Sequence, residues 1–109
     1  MPAGEEEKAR AFYAGLLGMR EVAKPKALVE RGGAWFESGS VQIHLGIDPD
    51  FTPAKKAHPA LRCRAYHRLL EHLRAAGVAV SPDDTRLPDG SKRAYVDDPF
   101  GNRIELIET

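Results

Sequence analysis

Apolar residues recur at three- and four-residue steps in two stretches of the chain. Across residues 5–17, Ala9, Phe12, Tyr13, Leu16 and Leu17 share one side, and Glu6, Glu7, Lys8 and Arg10 supply a charged lead. That spacing predicts a helix with acids in its first turn, where the macrodipole favours them, and with Gly18 as its stop. A second helix is predicted over residues 66–76, striped by Leu69, Leu70 and Leu73 and ended by Gly77. The rest reads as short strands. Residues 20–22 form a weak one, which 28–31 either join or leave as a loop. Residues 34–37 and 41–45 flank Ser38-Gly39-Ser40, a hairpin signal. Residues 48–53 hold too much Pro and Asp for a regular element. Four more strands are expected at 59–64, 78–80, 93–97 and 103–107, with loops at 81–91 and 98–102. The second loop should be a tight turn, with Pro99 fixing one backbone angle and Gly101 or Asn102 taking positive φ.

The order of these elements repeats. The second half reads strand, helix and three strands, and the first half reads helix and three strands. The boundary falls near residues 51–56, giving modules at 1–50 and 57–109. What breaks the symmetry is the front of the first module, where Met1-Pro2-Ala3-Gly4 leaves no room for a leading strand before the acidic helix start.

Strand alternation then sorts the side chains. Val41, Ile43 and Leu45 share the apolar face of their strand, so Gln42 and His44 oppose it. Leu61 and Cys63 are paired in the same way, with His58, Ala60, Arg62 and Arg64 opposite. Ile104 and Leu106 turn towards a helix, and Arg103, Glu105 and Ile107 turn away. His44, His58 and Glu105 thus occupy the non-helical faces of three separate strands. Two imidazoles and a carboxylate suit Zn, Ni, Mn, Fe or Co. No short-range pair such as His-x-x-x-His strengthens the case, and wet strand faces carry polar residues for solubility alone. His67 and His72, five apart on the second helix, are expected in solvent. Cys63 is expected as a small core residue rather than a nucleophile.

Composition narrows the options. A chain of 109 residues, 42% hydrophobic, suffices for one domain with a core of its own. Sixteen acids balance 16 bases, which gives no electrostatic footprint for nucleic acid or an anionic membrane. No apolar run approaches the roughly 20 residues of a membrane span, and the acidic start is unlike a signal peptide. A lone cysteine excludes an internal disulfide, and the chain reads as cytoplasmic. Neither a phosphate loop nor a dinucleotide fingerprint nor a Ser-His-Asp spacing is present.

Several runs resemble one family. Ala9-Arg10-Ala11-Phe12-Tyr13 with Leu17-Gly18-Met19, then Gly33-Ala34-Trp35-Phe36, Ile43-His44-Leu45-Gly46 and His58-Pro59-Ala60-Leu61, are similar to the glyoxalase, bleomycin-resistance and ring-cleaving dioxygenase superfamily, the vicinal oxygen chelate proteins. The closing run from Arg93 through Asp97-Asp98-Pro99-Phe100-Gly101-Asn102-Arg103 to Ile107 is the most specific match. The resemblance implies an α+β fold of paired βαβββ modules curled around a cup, the first lacking its leading strand. It also implies a divalent metal in the cup, with His44, His58 and Glu105 at ligand positions and a fourth ligand lost with the missing strand.

The chemistry so implied is that of a lyase, isomerase or dioxygenase, with Glu105 as the catalytic carboxylate. Trp35, Phe36, Gln42, Phe51, Arg62, Arg93 and Arg103 are the candidate substrate contacts, the arginines favouring an anionic ligand. The competing reading is a metal-free protein that sequesters a drug or metabolite between Trp35, Phe36 and Phe51. The 109-residue chain is expected to hold metal weakly or not at all, and a form extended upstream by a strand carrying His is expected to take it up. A homodimer is expected from the family resemblance and from the open strand edge.

Overall fold

The structure is a computed structural model that describes residues 1–109. The chain divides into two compact units, Met1–Thr52 and Pro53–Thr109. The first unit begins with α1 (Glu6–Ala9), which continues into a π-helix (Arg10–Leu16). β1 (Arg20–Val22), a short helix α2 (Lys26–Val29), β2 (Ala34–Ser38) and β3 (Val41–Leu45) follow. The second unit runs β4 (Ala60–Cys63), α3 (Tyr66–Ala75), β5 (Ser81–Asp83), β6 (Arg93–Asp97) and β7 (Arg103–Glu108). Each unit therefore combines one sheet with helices, the α+β class expected from the sequence. No helix is long and apolar enough to cross a membrane.

In the first unit the sheet is antiparallel in the order β1-β2-β3, with Phe36 opposite Ile43 and Trp35 opposite His44. Phe36 is fully buried, and the Tyr13 ring stacks on it with centroids 5.3 Å apart. The helical segment thus packs on the Ile43 face, as alternation required. Its own geometry differs from the expectation of a single α-helix over residues 5–17. Backbone bonds widen to the π pattern, with Leu17 N–H donating to Phe12 C=O at 2.9 Å. The stripe drawn at α spacing holds at its start and departs at its last two members. Phe12 and the adjacent Tyr13 are both buried, and Leu16 and Leu17 are only half-buried.

Two further expectations change in this unit. Residues 28–31 are neither strand nor plain loop. Pro25, with extended backbone, sets up the short helix α2, and Leu28 N–H donates to its carbonyl at 2.8 Å. Met1 is not simply part of a loop. Its ammonium donates to Gly46 C=O at 2.8 Å, and its carbonyl accepts from Asp48 N–H at 3.1 Å, the bonding pattern of a parallel bridge centred on Ile47.

The second unit's sheet has the order β4-β7-β6-β5, with β4 parallel to β7 and the other pairs antiparallel. Ala94 opposes Leu106 and Val96 opposes Ile104, and all four are buried. Tyr66, Leu70 and Leu73 of α3 are buried. The stripe starts at Tyr66, with Leu69 left half-buried, because positions 66, 70 and 73 share a helical face. The strand expected at residues 78–80 appears instead as β5. Val78 is spent on ending α3: its N–H donates to Leu73 C=O at 2.9 Å while Gly77 takes φ 87°. β5 contains Pro82, within the segment expected as a loop. Pro is tolerated there because β5 is an edge strand. The 98–102 turn forms as expected, with Gly101 at φ 88° and Asp98 Oδ1 accepting from the N–H groups of Phe100 and Asn102 at 2.9 Å each.

Gly33 is the tightest backbone approach. Its φ is +84°, and a Cβ there would run into the Leu45 carbonyl oxygen. Its N–H donates to Glu6 Oε1 at 3.1 Å, and this bond is the main reason the Glu6 carboxyl is held below its ordinary value of 4.5. Gly33→Ala is expected to destabilise the chain by about 2 kcal/mol or more in chemical denaturation. A lowered folded-state pKa contributes stability above the unfolded value and loses it as pH falls through the folded one. Glu6→Gln should therefore flatten the acid limb of stability below pH 4.5, a small effect at so exposed a site, measured by thermal melts across that range.

Candidate functional site

The chemistry-bearing residues of the second unit gather on the sheet face that α3 does not cover. β7 lies between β4 and β6, so its alternation sends Ile104 and Leu106 to one side and Glu105 to the other. Glu105 sits opposite Ala60 on β4 and Tyr95 on β6 and is 8% exposed. A buried carboxylate needs donors. Its Oε2 lies 3.2 Å from His58 Nε2, and its Oε1 accepts from Arg93 Nη1 at 3.2 Å. His58 stands just before β4, and Glu105 N–H donates to the next carbonyl, that of Pro59, at 3.0 Å. The parallel strand pair thus carries the imidazole to the carboxylate.

Arg93 is fully engaged. Besides Glu105, its Nη2 meets Asp83 Oδ2 at 3.1 Å, and its Nε donates to Thr85 C=O at 3.1 Å. The hydrogen bond to Glu105 is the main cause that raises the guanidinium's pKa above its ordinary value. Tyr95 forms the floor beside these groups. His58 meets its ring edge-on with centroids 5.5 Å apart, and the guanidinium carbons of Arg93 and Arg103 lie 5.8 and 5.3 Å from its centre. Tyr95 and Asp83 were not among the sequence candidates. Alternation in Arg93-Ala94-Tyr95 was the available signal for the tyrosine, since it shares a face with Arg93. Asp83 was hidden in a segment read as loop.

The remaining candidates have surroundings of their own. His44 is exposed in the first unit, stacked flat on Trp35 with ring centres 3.6 Å apart and planes 3° from parallel. Its Nε2 is 3.1 Å from Gln42 Oε1, and Gln42 Nε2 reaches towards Glu37 at 3.5 Å. Phe36 is not a pocket-lining residue. It alternates with Trp35 and is buried under Tyr13. Phe51 is half-buried at a turn, its N–H donating to Asp48 C=O at 3.1 Å. Arg62 shares the Glu105 face but is exposed and paired with Asp89 at 3.2 Å. Cys63 is half-buried on the helix side, where burial pushes its thiol pKa up, and His67 is exposed beside Glu108 at 2.9 Å.

Within neither unit do three or more His, Cys, Asp or Glu side chains assemble into a group able to hold a metal ion. Two donors do converge. The Lys55 carbonyl can only accept, so His58 Nδ1, 3.0 Å away, is a donor, and in the neutral ring the Nε2 lone pair faces Glu105 Oε2. Two acceptors face to face are satisfied by a proton or a cation between them. A carbonyl behind the distal nitrogen is also how metal-ligating histidines are oriented. His58 and Glu105 therefore fit a divalent ion as two of its ligands.

The comparisons agree with this architecture. The family model described as the Glyoxalase/Bleomycin resistance protein/Dioxygenase superfamily matches residues 1–106, and the chain belongs to that superfamily. A solved structure of a glyoxalase family protein from Bacillus anthracis is 47% identical, with a TM-score of 0.94 over 100% of this chain and 88% of that one. Lactoylglutathione lyase from Agrobacterium tumefaciens shares the fold at 21% identity, with a TM-score of 0.72 over 99% of this chain and 88% of that one. The fosfomycin resistance protein FosX from Listeria monocytogenes does so at 17% identity, with a TM-score of 0.74 over 94% and 83%. No curated protein matches the sequence.

Arg93→Met should leave Glu105 and Asp83 without their shared cation. A loss of about 2 kcal/mol in denaturant unfolding is expected, larger than for any exposed pair such as Arg62 with Asp89.

Proposed function

We propose that the protein is a divalent-metal-dependent lyase, isomerase or dioxygenase acting on a small molecule, with His58 and Glu105 among the metal ligands. The observation that supports this most is the buried Glu105 carboxylate, one oxygen held by Arg93 and the other facing His58 Nε2. A bound divalent ion supplies positive charge that stabilises an oxyanion or enolate on the substrate. The chain's own residues do the rest. Arg93 fixes the carboxylate's rotation through Oε1, so Oε2 is the atom placed to accept a proton. The Lys55 carbonyl holds the His58 ring, and the edge of that ring against Tyr95 limits its tilt. Arg103 and Tyr95 border the same face and are proposed as substrate contacts. The same reading has the protein act as a homodimer in the cytoplasm, as its composition and family resemblance suggest.

A second reading, a metal-free protein that binds a small molecule, has one observation in its favour. The flat Trp35–His44 pair, with His44 exposed, offers a stacking surface that needs no metal.

Elemental analysis and thermal melts with added Mn, Ni or Zn separate the two. The metal reading expects little metal after purification. An excess of about 100 times the dissociation constant should then stabilise the chain by about 2.7 kcal/mol, an effect lost in His58→Ala. No shift with any of the three ions in the native chain would favour the binding protein.

A further inference from the structure

We propose that Arg103 is the oxyanion-recognising residue of the Glu105 face, so that the ligand is a small organic carboxylate or phosphonate. The inference rests on reading that face as the binding face and adds the chemical class of what binds there.

The cations of the second unit's open face sort by what they already hold. Arg62 is paired with Asp89, and Arg93 is shared among Glu105, Asp83 and the Thr85 carbonyl. Lys55 holds Asp97 at 2.9 Å. That last pair decides the case for Arg103. Asp97 is the residue directly opposite Arg103 across the β6–β7 ladder and would be its natural partner, yet its carboxylate is turned to Lys55. The Arg103 side chain makes no ion pair or hydrogen bond. What holds it is the Tyr95 ring, with the guanidinium carbon 5.3 Å from the centroid.

A guanidinium resting on an aromatic ring keeps its charge and its planar set of N–H donors, and gives up little of either to the ring. Such a fork matches the two oxygens of a carboxylate or phosphonate. Arg103 is only half-exposed, and alternation along β7 puts it on the same face as Glu105, two residues on. An oxyanion on Arg103 therefore directs the rest of a small molecule along β7 towards Glu105 and His58. A bare surface arginine would be free to swing away. Here Tyr95 also meets the His58 ring in a T-shaped contact, so the recognition group and His58 share one neighbour.

Titration of the isotope-labelled protein with acetate and with methylphosphonate, at constant ionic strength adjusted with chloride, tests the assignment by NMR. The Arg103 Nε–H and Tyr95 signals should move saturably with at least one of the two anions, and whichever binds tighter identifies the head group. Arg103→Gln should weaken binding about tenfold or more, and Arg103→Lys should retain part of it, because the charge remains and the fork is lost. Arg68→Gln, an exposed change on α3, should bind as the native chain does, and a dispersed amide spectrum shows that each variant is folded. Equal affinity in Arg103→Gln and the native chain, or no saturable shift in the native chain with either anion, overturns the proposal. Metal uptake measured on the same samples keeps the two readings apart. Anion binding that depends on Arg103 without any metal uptake sustains this inference and removes the metal-dependent one.

Discussion

Burial of a carboxylate on a central strand constrains most of what surrounds it. Glu105 loses water on β7, and desolvating a charge without donors costs several kcal/mol, more than any single apolar contact nearby returns. Arg93 meets that cost at Oε1, and Oε2 faces His58 Nε2, where a proton or a cation between the two completes the balance. The requirement propagates outward. Arg93 must reach across from β6, so Asp83 on β5 and the Thr85 carbonyl hold its other nitrogens. His58 must sit at the entry to β4, so the Lys55 carbonyl and the Pro59–Glu105 backbone bond fix it there.

The topology makes this arrangement available. In the order β4-β7-β6-β5 the last strand of the unit is inserted between the first and the third, so a residue on β7 has neighbours on both sides. The turn before β7 supports the register. Asp98 is buried and accepts from two backbone N–H groups and the Asn102 amide, closing the corner between β6 and β7 without an orphaned donor. One face of the sheet is then filled by Ala94, Val96, Ile104 and Leu106, and the other carries Arg93, Tyr95, Arg103 and Glu105 beside the buried Ile107. Packing and chemistry are divided by the two-residue period of the strands.

That period is why so much was legible in the sequence. Alternation alone set His44 apart from Ile43 and Glu105 from Leu106, and the Gly and Pro punctuation located the hairpin and the 98–102 turn. Two of the misses share a cause, which is that local bonding overrode the pattern. The π-helix changes which residues a three- and four-residue step brings together, so Ala9, Phe12 and Tyr13 of the expected stripe are buried and Leu16 and Leu17 are only half-buried. The Gly77 ending of α3 consumes Val78 and delays β5 to a segment whose proline looked like loop. Phe36 was grouped with Trp35 by aromatic character, although neighbours on a strand point to opposite faces. Which arginine pairs with which acid was not legible at all. The choice of Asp97 for Lys55 rather than Arg103 joins residues 42 apart, a contact that no spacing rule reports.

The two units repeat an order of elements but not the state of their polar faces. In the first, Arg20, Glu37, Gln42 and His44 form a chain of contacts across β1, β2 and β3, and most of its members are exposed. Water screens such contacts, so they contribute little to stability and chiefly orient the His44 ring against Trp35. In the second, Glu105 and its partners are largely withdrawn from water, where each interaction is stronger and each missing partner more costly. An exposed network tolerates substitution, and a buried one does not. Electrostatic stabilisation of a reacting group also needs a dry, preorganised setting. Of the two faces, the one around Glu105 meets that condition, which is the physical reason the proposed chemistry is placed in the second unit.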